Sequence, residues 1–227
     1  MSKTAEFFNK PENYLDKDYN VRVRKGIVAE LVGEVIDRNI LDVGCGDGRV
    51  SLQFALSNYL TLIDASPGML DLACKNTPNH VKKRVTHILS TLEDAPITEE
   101  SYDIIIAMGI FAHLNSWKRG VDILAKSVKR GGHVVIQISD SANPLVRGQL
   151  RPMGKRQHTL NKIDFESLVE TCGQAGLKLQ TKKHYGFTVR GMGVLPNRLL
   201  YQFTLATTKW RLFRRMATEV IAVFQKV

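Results

Sequence analysis

The stretch ILDVGCGDG, which occupies residues 40–48, decides how the rest of the chain is interpreted. Its first four residues are mostly apolar and predict a buried strand of a parallel sheet. The glycines that follow allow a sharp turn and a close approach of the backbone to a ligand, because no Cβ stands in the way. The amphipathic residues 49–58 predict a helix directly after the turn, with N–H groups exposed at its start. Residues 40–58 therefore predict a strand, a glycine turn and a helix start that together hold a ligand.

The spacing of the glycines separates two classes of nucleotide-binding turn. They follow the pattern G-x-G-x-G, whereas dinucleotide-binding turns follow G-x-G-x-x-G. Asp42 and Asp47 lie in and beside the turn, where carboxylates disfavour a pyrophosphate and suit a ligand with cationic or hydroxyl groups. A nicotinamide-dependent oxidoreductase is thus an alternative that the spacing disfavours.

Residues 40–48 resemble the first motif of the class I S-adenosylmethionine-dependent methyltransferases, hydrophobic-Leu-Asp-hydrophobic-Gly-x-Gly-x-Gly. Residues 64–70, DASPGML, resemble the same family's Asp-x-Ser-x-x-Met-Leu. The resemblance covers roughly residues 35–187 and the last strand. It implies an enzyme that uses S-adenosylmethionine as cofactor and transfers its methyl group to a hydroxyl or amine of a small biosynthetic metabolite, free or linked to a lipid or carrier.

Helix-like and strand-like segments alternate along the chain, which predicts the α/β class. The family resemblance refines this to a Rossmann-like, seven-stranded, mostly parallel sheet with helices on both faces and a C-terminal antiparallel hairpin. The expected strands are residues 40–43, 60–64, 85–89, 102–108, 133–139, 177–187 and 217–226, and the expected helices are 18–36, 49–58, 116–130 and 164–175.

The same pattern predicts two functional regions. Residues 1–36 have a helical pattern, and the resemblance implies that they form an N-terminal helical lid. The resemblance assigns residues 37–227 to the methyltransferase domain. The resemblance implies a substrate-side insertion at about 141–162, where the family inserts substrate-specific structure. A second insertion is expected at about 188–215, because the chain between the last two strands is longer than a hairpin needs.

Several residues are expected around the cofactor. Asp64 lies twenty residues after Gly44, at a strand end where a carboxylate can accept both ribose hydroxyls. The resemblance places Met69 on the adenine, with ordinary core packing as the alternative. Thr91 stands where many relatives carry an aspartate, and its hydroxyl is a poorer acceptor. The predicted cofactor-binding set is Asp42, Gly44, Cys45, Gly46, Asp47, Asp64, Ala65, Met69, Thr91, Leu92 and Met108.

Candidates for the acceptor side are fewer. His113 follows the fourth strand and could take a proton from a hydroxyl or amine, or could be structural. His158 lies in the first insertion, where the family places a substrate-loop residue, and is a second catalytic or substrate-binding candidate. Tyr14, Tyr19 and Tyr185 complete the predicted substrate-binding set, with packing as the alternative role for the first two. No acidic cluster has the spacing of a metal site, so no metal is predicted.

The distribution of charge adds a question about partners. Residues 1–141 carry a net charge of −1, and residues 142–227 carry +11. This excess predicts either simple solvation or contact with an anionic acceptor or surface. Enzymes that methylate exocyclic amines of bases carry Asp/Asn-Pro-Pro-aromatic after strand four, and residues 107–110 read Ala-Met-Gly-Ile instead. Nucleic acid is therefore disfavoured, with other RNA methyltransferases and a non-catalytic cofactor-binding subunit kept as alternatives.

The second insertion contains one notable apolar stripe. Residues 199, 203, 206, 210 and 213 are apolar and share one face of a predicted helix that also carries arginines and a lysine. The alternatives are packing on its own domain, a dimer contact, or a peripheral membrane contact through residues 196–215. The absence of a long apolar run, of a signal-peptide pattern and of paired cysteines predicts a cytoplasmic location.

Overall fold

The computed structural model of the protein describes residues 18–149, 161–186, 196–209 and 217–227. Tyr14, His158, Trp210 and Phe213 of the expectations above lie outside the described residues.

Seven strands form one sheet with the order β3-β2-β1-β4-β5-β7-β6. The pairs among β1 to β5 are parallel, and β7 runs antiparallel to both of its neighbours. This confirms the predicted fold class, including the C-terminal antiparallel pair. The strands are β1 Asn39–Val43, β2 Tyr59–Asp64, β3 Val85–Leu89, β4 Tyr102–Met108, β5 Val128–Ser139, β6 Leu177–Tyr185 and β7 Glu219–Lys226.

Helices cover both faces of the sheet, because successive strand residues point to opposite sides and both sides are apolar. Leu41 belongs to the core cluster under one pair of helices, and its neighbour Ile40 belongs to the cluster on the other face. The helices are α1 Asp18–Val32, α2 Pro67–Asn76, α3 Trp117–Ser127, α4 Pro144–Gln149, α5 Phe165–Gln174 and α6 Asn197–Lys209. In the two clusters, α3 and α5 cover the Leu41 face, and α1 and α2 cover the Ile40 face.

The prediction of a helix over residues 49–58 is wrong. The segment consists of turns and one short 3₁₀ helix, Leu52–Phe54. Side-chain bonds to the backbone stabilise these turns: Ser51 Oγ donates to the carbonyl of Gly48, and Asn58 Nδ2 donates to the carbonyl of Phe54 at 2.9 Å. No α-helix N-terminus therefore follows the glycine turn directly.

Two helix ends also differ from expectation. Helix α1 stops at Val32 because Gly33 adopts φ +72 and ends it, so Ile36 lies outside the helix and is 69% exposed. Helix α3 stops at Ser127, and residues 128–132 already belong to β5. Gly132 permits this path because a Cβ there would lie 2.8 Å from the carbonyl oxygen of Asp103.

Helix α6 packs on its own domain, against α1 and β6. Among residues 197–206, whose burial the structure describes, Leu200 and Thr204 are buried. Leu199 and Phe203, the first members of the predicted stripe, are 57% and 40% exposed. The sequence spacing predicted that Leu199 and Phe203 face the domain. The residues that pack against it are Leu200 and Thr204, each one position later in the sequence. No helix among the described residues is long and apolar enough to span a membrane.

Candidate active site

One cavity of about 400 Å³ opens at the carboxyl ends of β1, β2, β4 and β5. Strands β1 and β4 are neighbours, and the strand order reverses between them, which is where ligands bind in open α/β sheets. The cavity brings together nine of the predicted site residues: Gly44, Gly46, Asp64, Ala65, Met69, Thr91, Leu92, Met108 and His113.

The glycine turn forms one end of this cavity. The N–H groups of Gly44 and Cys45 donate to the carbonyl of Ile63 at 2.8 and 3.0 Å, which binds the turn to the end of β2. Gly46 has φ +57, a conformation that favours glycine, and no atom lies within 4 Å of the position of a Cβ there. The turn therefore leaves open space above Gly46 for a ligand.

Asp64 is held in place by two backbone N–H groups. Its carboxylate accepts from Gly46 N and from Ser66 N, both at 2.8 Å, which joins the glycine turn to the start of α2. Burial raises the pKa of Asp64, and these N–H bonds act in the opposite direction. A fixed carboxylate that faces the cavity can accept hydroxyl donors with its remaining lone pairs.

Three predicted cofactor-binding residues do not line the cavity: Asp42, Cys45 and Asp47. Asp42 lies beneath the turn, where burial raises its pKa to about 7, with a Ser51 hydrogen bond opposing and Asp64 and Asp47 contributing. Burial also raises the pKa of the Cys45 thiol. Asp47 forms an ion pair with Arg49. These residues support the turn from below.

Part of the cavity wall is apolar. Met69 and Leu92 are almost fully buried and both line the cavity. Ser66 is the N-cap of α2, since its Oγ accepts from the Met69 N–H at 3.2 Å. Thr91 Oγ1 donates to Asp94 Oδ2 at 2.8 Å and accepts from Asp94 N at 3.2 Å. The Thr91 hydroxyl therefore donates away from the cavity and keeps a lone pair as an acceptor.

His113 lines the cavity just after the 3₁₀ helix Ile110–Ala112. Asn161 holds this loop in place, since its Nδ2 donates to the carbonyls of Phe111 at 3.0 Å and Leu114 at 2.7 Å. Asn161 also lines the cavity and was missed from the sequence. Its position at the end of the basic insertion carried no local signal, because its partners lie almost fifty residues away.

The remaining wall is polar and was also missed. Arg24 of α1 and Gln137 and Ser139 of β5 line the cavity. Behind them, Glu219 accepts hydrogen bonds from both β5 side chains. Two polar residues inside the apolar run of β5 were the available signal.

Two predicted tyrosines occupy positions outside the main cavity. Tyr185 is almost fully buried, and its hydroxyl accepts from Arg24 Nε at 2.9 Å. Tyr19 is buried and lines a second, smaller cavity between α1 and α6. Tyr185 therefore supports a cavity-lining side chain, and Tyr19 does not reach the main cavity. Among the described residues, no group of three or more His, Cys, Asp or Glu side chains could hold a metal ion.

Comparison with known proteins agrees with this geometry. A family model described as a methyltransferase domain matches residues 41–136. The ubiquinone biosynthesis O-methyltransferase of Hydrogenovibrio crunogenus is 28% identical over 199 residues, which cover 84% of this chain and 76% of that protein. The probable S-adenosyl-L-methionine-dependent methyltransferase TehB of Haemophilus influenzae is 29% identical over 132 residues, 58% of this chain and 45% of that protein. The second relative is thus matched over less than half of its own length.

Solved structures share the fold over nearly the whole chain. A SAM-dependent methyltransferase of Thermotoga maritima, described as a possible histamine N-methyltransferase, has a TM-score of 0.70 at 17% identity and covers 98% of this chain and 97% of its own. Magnesium protoporphyrin IX methyltransferase of Synechocystis, with bound SAH, has a TM-score of 0.68 at 14% identity. The match covers 99% of this chain and 98% of that chain.

The strand order and the cavity at the switch point define a Rossmann-like fold with a ligand site at the edge of its sheet. The matching methyltransferase domain, the methyltransferase relatives and the solved structures together support a class I S-adenosylmethionine-dependent methyltransferase, with S-adenosylmethionine as its cofactor. The cavity fits this group: the space above Gly46 is open, the Asp64 carboxylate faces it, and Met69 and Leu92 supply an apolar wall.

Proposed function

We propose that the protein methylates a hydroxyl or amine of a small biosynthetic metabolite. The observation that supports this proposal is one continuous cavity, which extends from Asp64 and Met69 to His113 and Ser139. A cofactor held at the first end and an acceptor held at the second share one cavity. The O-methyltransferase name of the Hydrogenovibrio relative favours a hydroxyl as the methylated group.

Each end of the cavity has a distinct task in this proposal. When bound, S-adenosylmethionine supplies an activated methyl group on a sulfonium sulfur. Asp64 accepts the ribose hydroxyls, and Thr91 accepts an amino hydrogen of the adenine. The turn at Gly44 and Gly46 gives the backbone close access to the cofactor. Because methyl transfer is an in-line displacement, most of the protein's contribution is position.

His113 is the proposed hydrogen-bond partner of the acceptor at the β4 side of the cavity. A neutral imidazole there can accept a hydrogen bond from a hydroxyl or amine and hold it in line with the methyl group. The Asn161 bonds to the neighbouring carbonyls hold the loop that carries it.

The acceptor side also supports a proposal about charge. Arg24 lines the cavity, and the described residues of β6 and α6 add further basic side chains to the neighbouring surface. This favours an acceptor with an acidic group, which the C-terminal excess of +11 would attract. For the exposed Leu199 and Phe203 on α6, we propose contact with an anionic membrane surface, since apolar side chains and positive charge together suit one.

An acceptor screen tests the function. Wild-type protein is incubated with S-adenosylmethionine and separate panels of phenols, amines and short RNA hairpins, and products are identified by mass. The proposal expects methylated phenols or amines. Methylation of RNA alone would favour the alternative of an RNA methyltransferase. Cofactor that binds and is never consumed would favour a non-catalytic subunit.

A further inference from the structure

Glu219 occupies a position that three strands create together. It is the first residue of β7, directly opposite Ser139 at the end of β5 and Tyr185 at the end of β6. Because β7 is antiparallel to both neighbours, its start lies at the sheet edge where β5 and β6 end. This edge is the one that carries the cavity, so a carboxylate is placed just behind the acceptor wall.

Ser139 lies between Glu219 and the cavity. Its side chain is exposed and lines the cavity, and its hydroxyl lies 2.8 and 3.0 Å from the two carboxylate oxygens of Glu219. A carboxylate accepts hydrogen bonds, so the Ser139 hydroxyl donates to Glu219 and turns its lone pairs towards the cavity. Those lone pairs can accept a hydrogen bond from the O–H or N–H of an acceptor.

The Glu219 carboxylate is oriented from two further directions. Gln137 Nε2 donates to Oε2, and the Arg24 guanidinium attracts the carboxylate from α1. Arg24 is itself held by its bond to the Tyr185 hydroxyl. The carboxylate therefore has a defined orientation before any acceptor arrives, which is what a preorganised proton acceptor requires.

The environment of Glu219 suits this chemistry. Burial raises the pKa of Glu219 above its usual range, while Arg24, Ser139 and Gln137 act in the opposite direction. Among the residues that the structure describes, the titratable and charged groups around it are Tyr19 and Arg24 from α1 and Tyr185 from β6, and its β5 neighbours are neutral. A carboxylate with a raised pKa is a stronger base than an exposed one.

We propose that Ser139 and Glu219 form a two-residue proton relay for the acceptor. The proposal rests on the methyl transfer proposed above and assigns the route of the released proton. The acceptor oxygen bonds to the methyl carbon while the carbon–sulfur bond breaks and its electron pair stays on sulfur. The acceptor's proton moves to Ser139 Oγ, and the former Ser139 hydroxyl proton moves to Glu219. Ser139 contacts the acceptor and is catalytic, and Glu219 acts through it.

Kinetics with 3,4-dihydroxybenzoate as the hydroxyl probe test the relay. Replacing Glu219→Gln is expected to lower kcat by about 10²-fold, with unchanged affinity for S-adenosylhomocysteine and loss of the acidic limb of the pH profile. Ser139→Ala should give a similar loss, and Ser139→Thr should restore most of the turnover. Because the two residues act in series, the double variant should be no slower than the slower single variant.

A matched control separates the relay from a loss of folding. Glu170→Gln makes the same chemical change at an exposed position on α5 and should leave kcat and its pH profile unchanged. Thermal unfolding of each variant with S-adenosylhomocysteine shows whether the fold is retained. Active wild-type protein with an unaltered pH profile in Glu219→Gln would overturn the relay and leave the proposed function standing.

An acceptor-independent measurement decides the same question for the protein alone. In protein with ¹³C-labelled glutamate and bound S-adenosylhomocysteine, the Glu219 carboxyl signal is followed through a pH titration. The relay expects an ionised carboxylate at neutral pH, and Ser139→Ala should raise the Glu219 pKa because one donor is lost. A titration that does not respond to Ser139→Ala, or a carboxyl that stays protonated above neutral pH, would overturn the relay whatever the probe's activity.

Discussion

The backbone N–H of Gly46 donates to the Asp64 carboxylate at 2.8 Å, so the ligand-facing turn and the ribose-binding candidate form one unit. Gly46 follows β1 and Asp64 ends β2, and these two strands are paired in parallel. The pairing of β1 with β2 therefore places Asp64 next to the glycine turn. A change at either residue should disturb the cofactor end of the cavity before it disturbs the acceptor end.

Replacing Asp64→Ala should weaken cofactor binding by about 10- to 100-fold, because hydrogen bonds to a charged group contribute about 1.5–3 kcal/mol. Isothermal titration with S-adenosylhomocysteine measures this directly. Asp71→Asn removes an exposed charge from α2 and should leave the affinity unchanged. Equal affinity in Asp64→Ala and wild-type protein would remove Asp64 from the binding site.

Glycine substitutions should separate backbone strain from steric contact. Gly46→Ala should cost about 1–2 kcal/mol of unfolding free energy, because φ is +57 and nothing crowds the new methyl group. Gly44→Ala should cost more, since its φ is +66 and a Cβ would lie 3.2 Å from Ile110.

The control for these changes is Gly26→Ala within α1, where φ is not positive and the space is open. It should stabilise the protein by about 0.5–1 kcal/mol, because alanine loses less conformational freedom than glycine. Urea unfolding of the three variants measures their free energies of unfolding and so ranks their stabilities. A Gly46→Ala protein as stable as Gly26→Ala would contradict the strain at the turn.

Asp42 should make stability fall as the pH rises. Burial raises its pKa to about 7, so the folded protein holds a proton that the unfolded chain releases near pH 4. The favourable contribution is complete below pH 4 and is lost as the pH rises to about 7, by at most about 4 kcal/mol. Among the described residues, Asp42 Oδ1 has no hydrogen-bond partner, which is consistent with this burial cost.

The test is Asp42→Asn, which keeps the shape and removes the charge. Its unfolding free energy should exceed that of wild-type protein at pH 8 and approach it at pH 4, in urea titrations without cofactor. Asp122→Asn, an exposed acid on α3, should show no such pH-dependent difference. Parallel curves for Asp42→Asn and wild-type protein across this range would show that Asp42 is ionised with its ordinary pKa.

The strands could be predicted from the sequence, because a buried parallel strand needs a continuous apolar run and the chain supplies one for each of β1, β2 and β4. That the glycine turn and Asp64 lie together at one end of the cavity could also be predicted, because they are only about twenty residues apart in the sequence. The polar acceptor wall could not be predicted. Ser139 and Glu219 are 80 positions apart and meet only through the β5–β7 register.

The segment after the glycine turn was predicted wrongly for a different reason. Residues 49–58 have an amphipathic pattern, but Ser51 and Asn58 bond to local carbonyls and stabilise turns. Pattern alone does not reveal such competition. In α6 the sequence pattern likewise does not reveal whether Leu199 or Leu200 is buried. That choice depends on how α1 and β6 pack against the helix.

His113→Ala should lower turnover of a phenolic acceptor by about 10²-fold while S-adenosylhomocysteine affinity stays the same. The reason is that His113 lines the cavity next to the acceptor end and does not belong to the glycine turn. Single-turnover assays with an active phenol provide the measurement. His80→Ala, on the exposed 3₁₀ helix after α2, is the matched control. Turnover that is unchanged in His113→Ala would show that His113 does not position the acceptor.

The exposed face of α6 should bind anionic membranes. Leu199 and Phe203 are the large apolar side chains that this helix exposes, and the C-terminal part of the chain carries the positive charge. Cosedimentation with vesicles of phosphatidylglycerol should exceed that with phosphatidylcholine and decrease with salt. Leu199→Ser with Phe203→Ser should reduce binding to both, while Leu56→Ser, an exposed apolar residue elsewhere, should not. Binding that is absent from both vesicles, together with a dimer that Leu199→Ser and Phe203→Ser dissociate, would assign this face to a second copy of the chain.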